Sequence, residues 1–315
     1  MSKHQWFGEG DMKYVAYFVL GVVALMIAGF VAILLPHHVQ IRNVAITIPE
    51  QSAVLALKQD SMGPDSVEFV TTAEQRSDFG VLGHVVMLLT WADGQQLIID
   101  SGMNREDAIA FGRPLESIYG GDPTVTHGPF EEQRAGRLEN LKGMVFTHLH
   151  TDHTYGAPAI CHAQSGITIY QTKDQANIQN HLTAESQQLI NDSACSKSEL
   201  GDELFKAIPG YPGVYAISAG GHTPGSTIYV VNTGDEQLIF SGDLTNDIYK
   251  IKHNEDKGFL YSYLAVPENT ALLSLWRPWL NELDDLEGVA VFPSHDVRHL
   301  RASRLTELTC MSNDC

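Results

Sequence analysis

The segment Met144-Val145-Phe146-Thr147-His148-Leu149-His150-Thr151-Asp152-His153 decides the fold. Met144–Phe146 is a short apolar run of the kind that forms a buried strand, and it ends in H-x-H-x-D-H, four candidate metal ligands within six residues. In an extended chain residues two apart face the same way, so His148 and His150 can reach one cation, while Asp152 and His153 in the following turn can point at a second. Imidazole nitrogen and carboxylate oxygen are the donors that a borderline cation such as Zn²⁺ accepts, usually four at a time. One histidine would be an ordinary surface or core residue, and a pair two apart would say little. Four such ligands in six residues point to a metal.

Working outward, the same pattern recurs at the ends of other apolar runs. Val214–Ile217 leads to Gly220-Gly221-His222-Thr223-Pro224-Gly225, a turn shaped by glycines and a proline. Gln237–Phe240 runs into Ser241-Gly242-Asp243, and Val289–Phe292 runs into Pro293-Ser294-His295-Asp296. Each candidate ligand follows a separate strand at its C-terminal tip, where layered α/β folds place their sites. Further runs at Val67–Thr71, His84–Trp91, Gln96–Ile99, Ile167–Gln171 and Thr227–Val231 read as strands. Arg105–Phe111, Gln175–Asn180, Ala184–Asn191 and the amphipathic Ala271–Leu283, behind Asn269 or Thr270 as a cap, read as helices. Mixed strands and helices predict an α/β (α+β) layered domain.

The 315 residues carry 38 Asp and Glu against 20 Lys and Arg, a formal net charge of −18. Nucleic-acid affinity comes largely from Lys and Arg contacts to phosphate, so no nucleic-acid partner is expected. With 43% apolar and 18% charged residues, the composition is that of a folded chain and not of a disordered one.

One stretch breaks the soluble pattern. Tyr14–Leu35, YVAYFVLGVVALMIAGFVAILL, runs 22 residues without a charge between Lys13 and Pro36-His37-His38, long enough to cross a bilayer core. A secretory signal would have an apolar region of about 7–15 residues and then an A-x-A cleavage pattern, which does not follow Leu35. A buried core helix is the soluble alternative, but the run is apolar all round and precedes any other core material. We therefore expect a tail at residues 1–13, a single-pass anchor in the lipid bilayer at 14–35, and a linker at 36–65. Lys3 and Lys13 precede the run and only Arg42 follows closely, so the positive-inside rule puts the remainder outside the cytoplasm. The cysteines are Cys161, Cys195, Cys310 and Cys315, with no C-x-x-C pair. Bridges Cys161–Cys195 and Cys310–Cys315 fit an exported domain, four reduced thiols fit equally, and spacing does not decide between them.

The motifs in order are the strand-end Asp100 of Leu97-Ile98-Ile99-Asp100-Ser101-Gly102, the H-x-H-x-D-H, the Gly-His-Thr-Pro-Gly at 221–225, the Gly-Asp at 242–243 and the Ser-His-Asp at 294–296. Together they resemble the metallo-β-lactamase-fold hydrolase superfamily over about residues 66–300. The resemblance implies a four-layer αββα sandwich in a domain spanning 66–315, with two divalent metal ions at one edge, zinc first and iron or manganese as alternatives. It implies that His148, His150 and His222 hold the first metal, Asp152, His153 and His295 the second, and that Asp243 bridges them. Asp100 would support a ligand from behind. Asp152 and Asp243 are the implied catalytic residues: a water between the cations ionises near neutral pH, and Asp152 accepts a proton or orients the nucleophile.

Zinc β-lactamases that carry cysteine at the bridging position match badly, because Asp243 stands there. The acyl-homoserine lactonase and glyoxalase II-like branches are nearer. Glyoxalase II-like enzymes use a basic C-terminal helical segment, whereas little chain follows His295, although Lys250 and Lys252 are close in sequence. Lactonases of this fold carry tyrosine three residues after the bridging aspartate. Asn246 stands there instead, with Tyr249 three further on; Tyr249 or Tyr155 could substitute for that tyrosine, and each is an ordinary packed aromatic on the simpler reading, which we favour. The expected activity is hydrolysis of an ester, lactone or thioester of a small molecule; a phosphodiesterase and a non-catalytic metal-binding module are the alternatives. His127, His162, His181, His253 and His299 receive no role. Trp276 and Trp279 are expected in the core or facing a membrane, and Gln171–Gln187 is expected to form a lid or substrate wall.

Overall fold

The computed structural model describes the backbone of residues 9–60, 62–77 and 80–308. In chain order the strands are β1 (Ser66–Ser77), β2 (Gly80–Thr90), β3 (Gln96–Ile99), β4 (Asp122–Thr126), β5 (Leu141–Val145), β6 (Thr168–Gln171), β7 (Ser196–Glu199), β8 (Lys206–Ala207), β9 (Val214–Ser218), β10 (Thr227–Asn232), β11 (Gln237–Gly242), β12 (Val289–Pro293) and β13 (Thr306–Glu307). They form an eight-stranded sheet in the order β13-β1-β2-β3-β5-β6-β7, with β4 on β1, and a five-stranded sheet in the order β12-β11-β10-β9-β8.

Period-2 alternation sorts the side chains into layers. Along β2, Val85, Met87 and Leu89 face the second sheet, while Val86 and Leu88 face away. Tyr229 and Val231 of β10 and Phe240 of β11 meet them across the interface. On the outer face of the first sheet Ile98, Met144 and Ile169 pack on Ala157, Ile160 and Ile190 from helices Ala157–Ala163 and Ala184–Asp192. On the outer face of the second, Ile228, Val230 and Val291 pack on Leu273, Trp276, Leu280 and Leu283 of helix Thr270–Asp284, a stripe spaced three, four and three residues apart. The result is the expected αββα sandwich. Asn269 caps that helix by accepting the Leu272 amide at 3.2 Å, and Trp276 and Trp279 are core residues that donate to Ala219 O and Pro49 O.

Helix Arg105–Tyr119 runs past Pro114, well beyond the expected Phe111. The short strands β4, β7, β8 and β13 had no readable period because they are polar edge pieces. The stretch Gln171–Gln187, expected as a lid or substrate wall, is held by buried hydrogen bonds. Gln175 is buried, with Nε2 donating to Phe146 O at 2.5 Å and Thr227 Oγ1 at 3.1 Å, and Gln171 donates to Gln187 Oε1 at 2.9 Å.

At the N-terminus one helix, Glu9–Arg42, contains the whole apolar run. Pro36 does not end it, because the turns beyond dock on the domain: Leu34, His38 and Ile41, at i, i+4 and i+7, are the buried stripe. Residues expected as a spacer continue that docking. Val54 is buried, Ile46, Ile48, Leu55 and Leu57 pack on the same cluster, and Gln237 Nε2 donates to Val54 O at 2.9 Å. The stretch 36–65 is thus no free linker, and its apolar residues follow the surface they cover instead of a period of their own.

Cys161 and Cys195 are joined, with Cα atoms 5.2 Å apart, and tie helix Ala157–Ala163 to the start of β7. Cys310 and Cys315 lie outside the described residues. Closing a loop of 34 residues stabilises by roughly 3–4 kcal/mol on the chain-entropy estimate. The Cys161→Ala/Cys195→Ala variant should lose about that much, read as a lower urea midpoint of the full chain in detergent; an unchanged midpoint would show the bridge to be dispensable.

Candidate metal centre

The loop after β5 is built around Asp100, the residue that follows β3. Its backbone is left-handed, φ +63°, a conformation that aspartate tolerates better than most residues. There its carboxylate accepts the Thr147 amide at 2.8 Å and the Thr147 hydroxyl at 2.8 Å, and His153 Nδ1 donates to Asp100 Oδ2 at 2.8 Å. This fixes the His153 ring with Nε2 turned into the site.

The other strand tips arrive by equally specific means. A Cβ on Gly221, φ +83°, would lie 2.7 Å from Leu273 Cδ2, so only glycine lets the His222 turn sit on helix Thr270–Asp284. A Cβ on Gly242, φ +59°, would lie 2.8 Å from Thr147 Cβ, so Asp243 is brought beside the β5 loop by the glycine before it. His222 Nδ1 donates to Glu268 Oε1 at 2.6 Å, and His295 Nδ1 donates to Gly83 O at 2.8 Å. Both rings are held by one nitrogen and aim the other inward.

The structure brings all seven expected ligands together. His148, His150 and His222 present ligand atoms within 4.8 Å of one another; so do His148, His153 and Asp243, and so do His84, Asp152 and His295. Asp243 lies between the groups: Oδ2 is 3.0 Å from His295 Nε2 and 3.7 Å from His222 Nε2, and Oδ1 is 3.6 Å from His153 Nε2. The partition differs from the expected one in two linked respects: His153 groups with His148 and Asp243, and His84 takes its place beside Asp152 and His295. His84 of β2, passed over as one residue of an apolar strand, stands with Asp152 at 3.3 Å, where His153, 3.4 Å from the same oxygen, had been expected to stand without it.

The donor set fits divalent cations. Nε2 of His148, His150 and His153 and Oδ1 of Asp243 are buried and make no hydrogen bond. Burial, reinforced by the neighbouring imidazoles, pushes His148 and His150 well below the ordinary histidine range, so both rings are neutral and keep their lone pairs. Burial would also lower His153, but the Asp152 and Asp100 charges outweigh it and raise the ring to about 10. Burial opposes ionisation of Asp152 and Asp243, yet His153 beside the first, and His295 and Lys257 beside the second, hold both below the usual carboxylate range.

Glu268 and Lys257 were also missed by the sequence reading, since neither sits in a ligand motif. Glu268 is fully buried; burial disfavours its charge, but the Lys257 ammonium and the hydrogen bonds from His222 and Ser262 bring it to about 2. Lys257 Nζ donates to Asp243 O at 2.7 Å and lies 3.3 Å from Glu268 Oε1.

A cleft of about 680 Å³ opens over the centre, with His150, Asp152, Asp243 and His295 at its floor. Val81, Leu82, Phe111, Leu115, Leu182 and Val266 line its walls, and Arg76, Lys250, Arg298, Asn246 and Tyr261 add polar groups. Of the Gln171–Gln187 stretch, Leu182 reaches this cleft. Tyr249 is 57% exposed and stacks on His253, and Tyr155 packs with Met103 and Ala108, so neither lines it. Lys252 pairs instead with Asp284 at 3.9 Å.

Solved structures with this architecture include an N-acyl homoserine lactone hydrolase with the product N-hexanoyl-L-homoserine bound at its catalytic metal centre (TM-score 0.55, 15% identity, covering 78% of this chain and 98% of that one). A mutant AiiA from B. thuringiensis with N-decanoyl-L-homoserine at its active site is alike to the same degree (TM-score 0.55, 15% identity, 78% and 98%). AidC, a dizinc quorum-quenching lactonase, gives a TM-score of 0.51 at 16% identity over 75% of this chain and 90% of that one. At such identities the likeness is one of fold. No curated protein matches the sequence. The family described as the Metallo-beta-lactamase superfamily matches residues 79–295, which hold every residue of the ligand groups. The chain therefore belongs to the metallo-beta-lactamase superfamily.

Proposed function

We propose that the protein is a dinuclear metal-dependent hydrolase acting on the carbonyl of a small-molecule ester, lactone or thioester. One observation carries this reading: buried, unpartnered imidazole nitrogens form adjoining ligand groups with the Asp243 carboxylate between them. His148, His150 and His222 would hold one divalent cation, and Asp152, His295, His153 and His84 surround the place of the other. Cations so held would lower the pKa of a water and polarise the substrate carbonyl. The donor set of imidazole and carboxylate suits zinc and also iron or manganese.

The protein's own groups do the rest. Asp152, held ionised at the cleft floor by the imidazoles around it, would orient the attacking water or accept its proton. Glu268 and Asp100 hold His222 and His153 in the tautomers that turn Nε2 inward. Lys257 and Tyr261 line the cleft above Asp243, and the Lys257 ammonium favours the carboxylate that hydrolysis releases. The lactone-product complexes among the structural relatives support a lactone or related ester as substrate. We read the N-terminal helix as a single-pass anchor, and the Cys161–Cys195 bridge supports an oxidising compartment for the domain, outside the cytoplasm.

The test is a hydrolysis panel of an aryl ester, a lactone, a thioester and bis-p-nitrophenyl phosphate, run beside elemental analysis. Turnover of a carbonyl substrate is expected; preference for the phosphodiester would move the reading to a phosphodiesterase, and no turnover at all to a metal-binding module. His150→Ala and Asp243→Ala should each abolish turnover and lower bound metal while the circular dichroism spectrum stays that of the parent. Glu268→Gln should weaken metal binding about 10–100-fold in competition with a chromophoric chelator, since a neutral amide replaces the carboxylate that orients His222 and pairs with Lys257; an unchanged affinity would show Glu268 to be structural only.

A further inference from the structure

Residues 258–266, Gly-Phe-Leu-Tyr-Ser-Tyr-Leu-Ala-Val, carry no charge in a chain of net charge −18. They form a helical turn, Tyr261–Ala265, that leaves Phe259 67%, Leu260 68% and Leu264 40% exposed. Three large apolar side chains together on one exposed turn of a water-facing surface are unusual. The turn is fastened to the N-terminal helix: Phe259 stacks on Tyr263 at 4.9 Å, Tyr263 stacks on His38 at 5.6 Å, and His38 Nε2 lies 3.0 Å from Tyr263 O. His38 is three residues beyond the apolar run, and Leu34, inside the run, is only 7% exposed. The domain therefore covers the helix about one turn, roughly 6 Å, deeper than His38. The opposite side of the same turn belongs to the cleft, where Tyr261, Ala265 and Val266 line the wall.

We propose that Phe259, Leu260 and Leu264 seat in the bilayer surface as a lip beside the anchor, and that substrate passes over this lip into the cleft as an amphiphile, a hydrolysable carbonyl carried on a long acyl or alkyl chain. The proposal rests on reading the helix as an anchor and the cleft as a hydrolase site. The occupant is lipid and not a protein because the turn packs through Tyr263 on His38 of the apolar helix, whose Leu35 and Val39 on either side of His38 are themselves 54% and 50% exposed.

The test uses the full chain in phosphatidylcholine vesicles, with p-nitrophenyl dodecanoate dissolved in the bilayer and p-nitrophenyl acetate in the water. Phe259→Ser/Leu260→Ser should lower kcat/KM for the dodecanoate about tenfold or more and leave the acetate unchanged. Equal loss on both esters, or no loss on either, overturns the proposal. Leu260→Trp gives a readout free of turnover: brominated phosphatidylcholine should quench its fluorescence beyond that of the parent protein, and quenching equal to the parent overturns the lip. Quenching with no hydrolysis of either ester by the parent would leave the lip standing and retire the hydrolase reading and the substrate route together.

Discussion

The structure depends on bringing like charges together out of water. Asp100, Asp152, Asp243 and Glu268 are 3%, 5%, 5% and 0% exposed, and all four lie in one hydrogen-bonded or ion-paired cluster. An ionised carboxylate costs several kcal/mol to bury unless opposite charge and hydrogen bonds meet it. Lys257 and the raised His153 and His295 rings supply part of that compensation. Divalent cations at the same ligand groups would take over from the His153 and His295 protons, with a positive charge that no side chain of similar size concentrates so well. The sandwich can bury these acids only because the tips of β3, β5 and β11 and the residues before helix Thr270–Asp284 deliver them beside imidazoles, so fold and centre stand or fall together.

Backbone details serve that delivery. Asp100 occupies a left-handed conformation, about 1–2 kcal/mol unfavourable for an ordinary residue, yet its amide donates to Val145 O at 2.8 Å and its carboxylate collects three side-chain and backbone donors. The two sheets are stitched at the same level: Thr227 N donates to Thr147 O at 2.7 Å and Tyr229 Oη to Phe146 O at 3.0 Å. The β5 loop is thereby held by both sheets, which explains why its ligands are rigidly placed although they sit on a loop.

Much of this was legible in the sequence because the ligands cluster locally. H-x-H-x-D-H, Gly-His, Gly-Asp and Ser-His-Asp each follow an apolar run, and period-2 alternation marks the strands that carry them. The illegible residues reach the site from elements with no local signal. His84 is one polar residue in a strand whose neighbours are apolar, and only the pairing of Gly83 with His295, amide to carbonyl at 3.0 Å, brings it near Asp152. Glu268 stands 46 residues from His222, and nothing in its own surroundings marks it as a ligand's partner. Pro36 and the aperiodic stretch after it carry no local signal for a related reason, since their conformation is set by the surface they dock on and not by their own pattern.

The ten residues from Lys257 to Val266 connect two properties that the sequence presents separately. At one end Lys257 touches the Asp243 carbonyl and Glu268, and its ammonium lies 5.0 Å from the Tyr261 ring centroid. Toward the other end Tyr263 stacks on His38 at the foot of the apolar helix. The segment is continuous helix and turn, and Val266 N donates to Tyr261 O at 2.8 Å, which closes it on itself. A displacement of the N-terminal helix would therefore act on Tyr263 first and reach the ammonium beside Asp243 through a single packed turn. The N-terminal helix and the centre are joined by direct packing on that side of the molecule, whereas the β6–β7 edge of the first sheet is bound to the rest by its own ladder and the Cys161–Cys195 bridge.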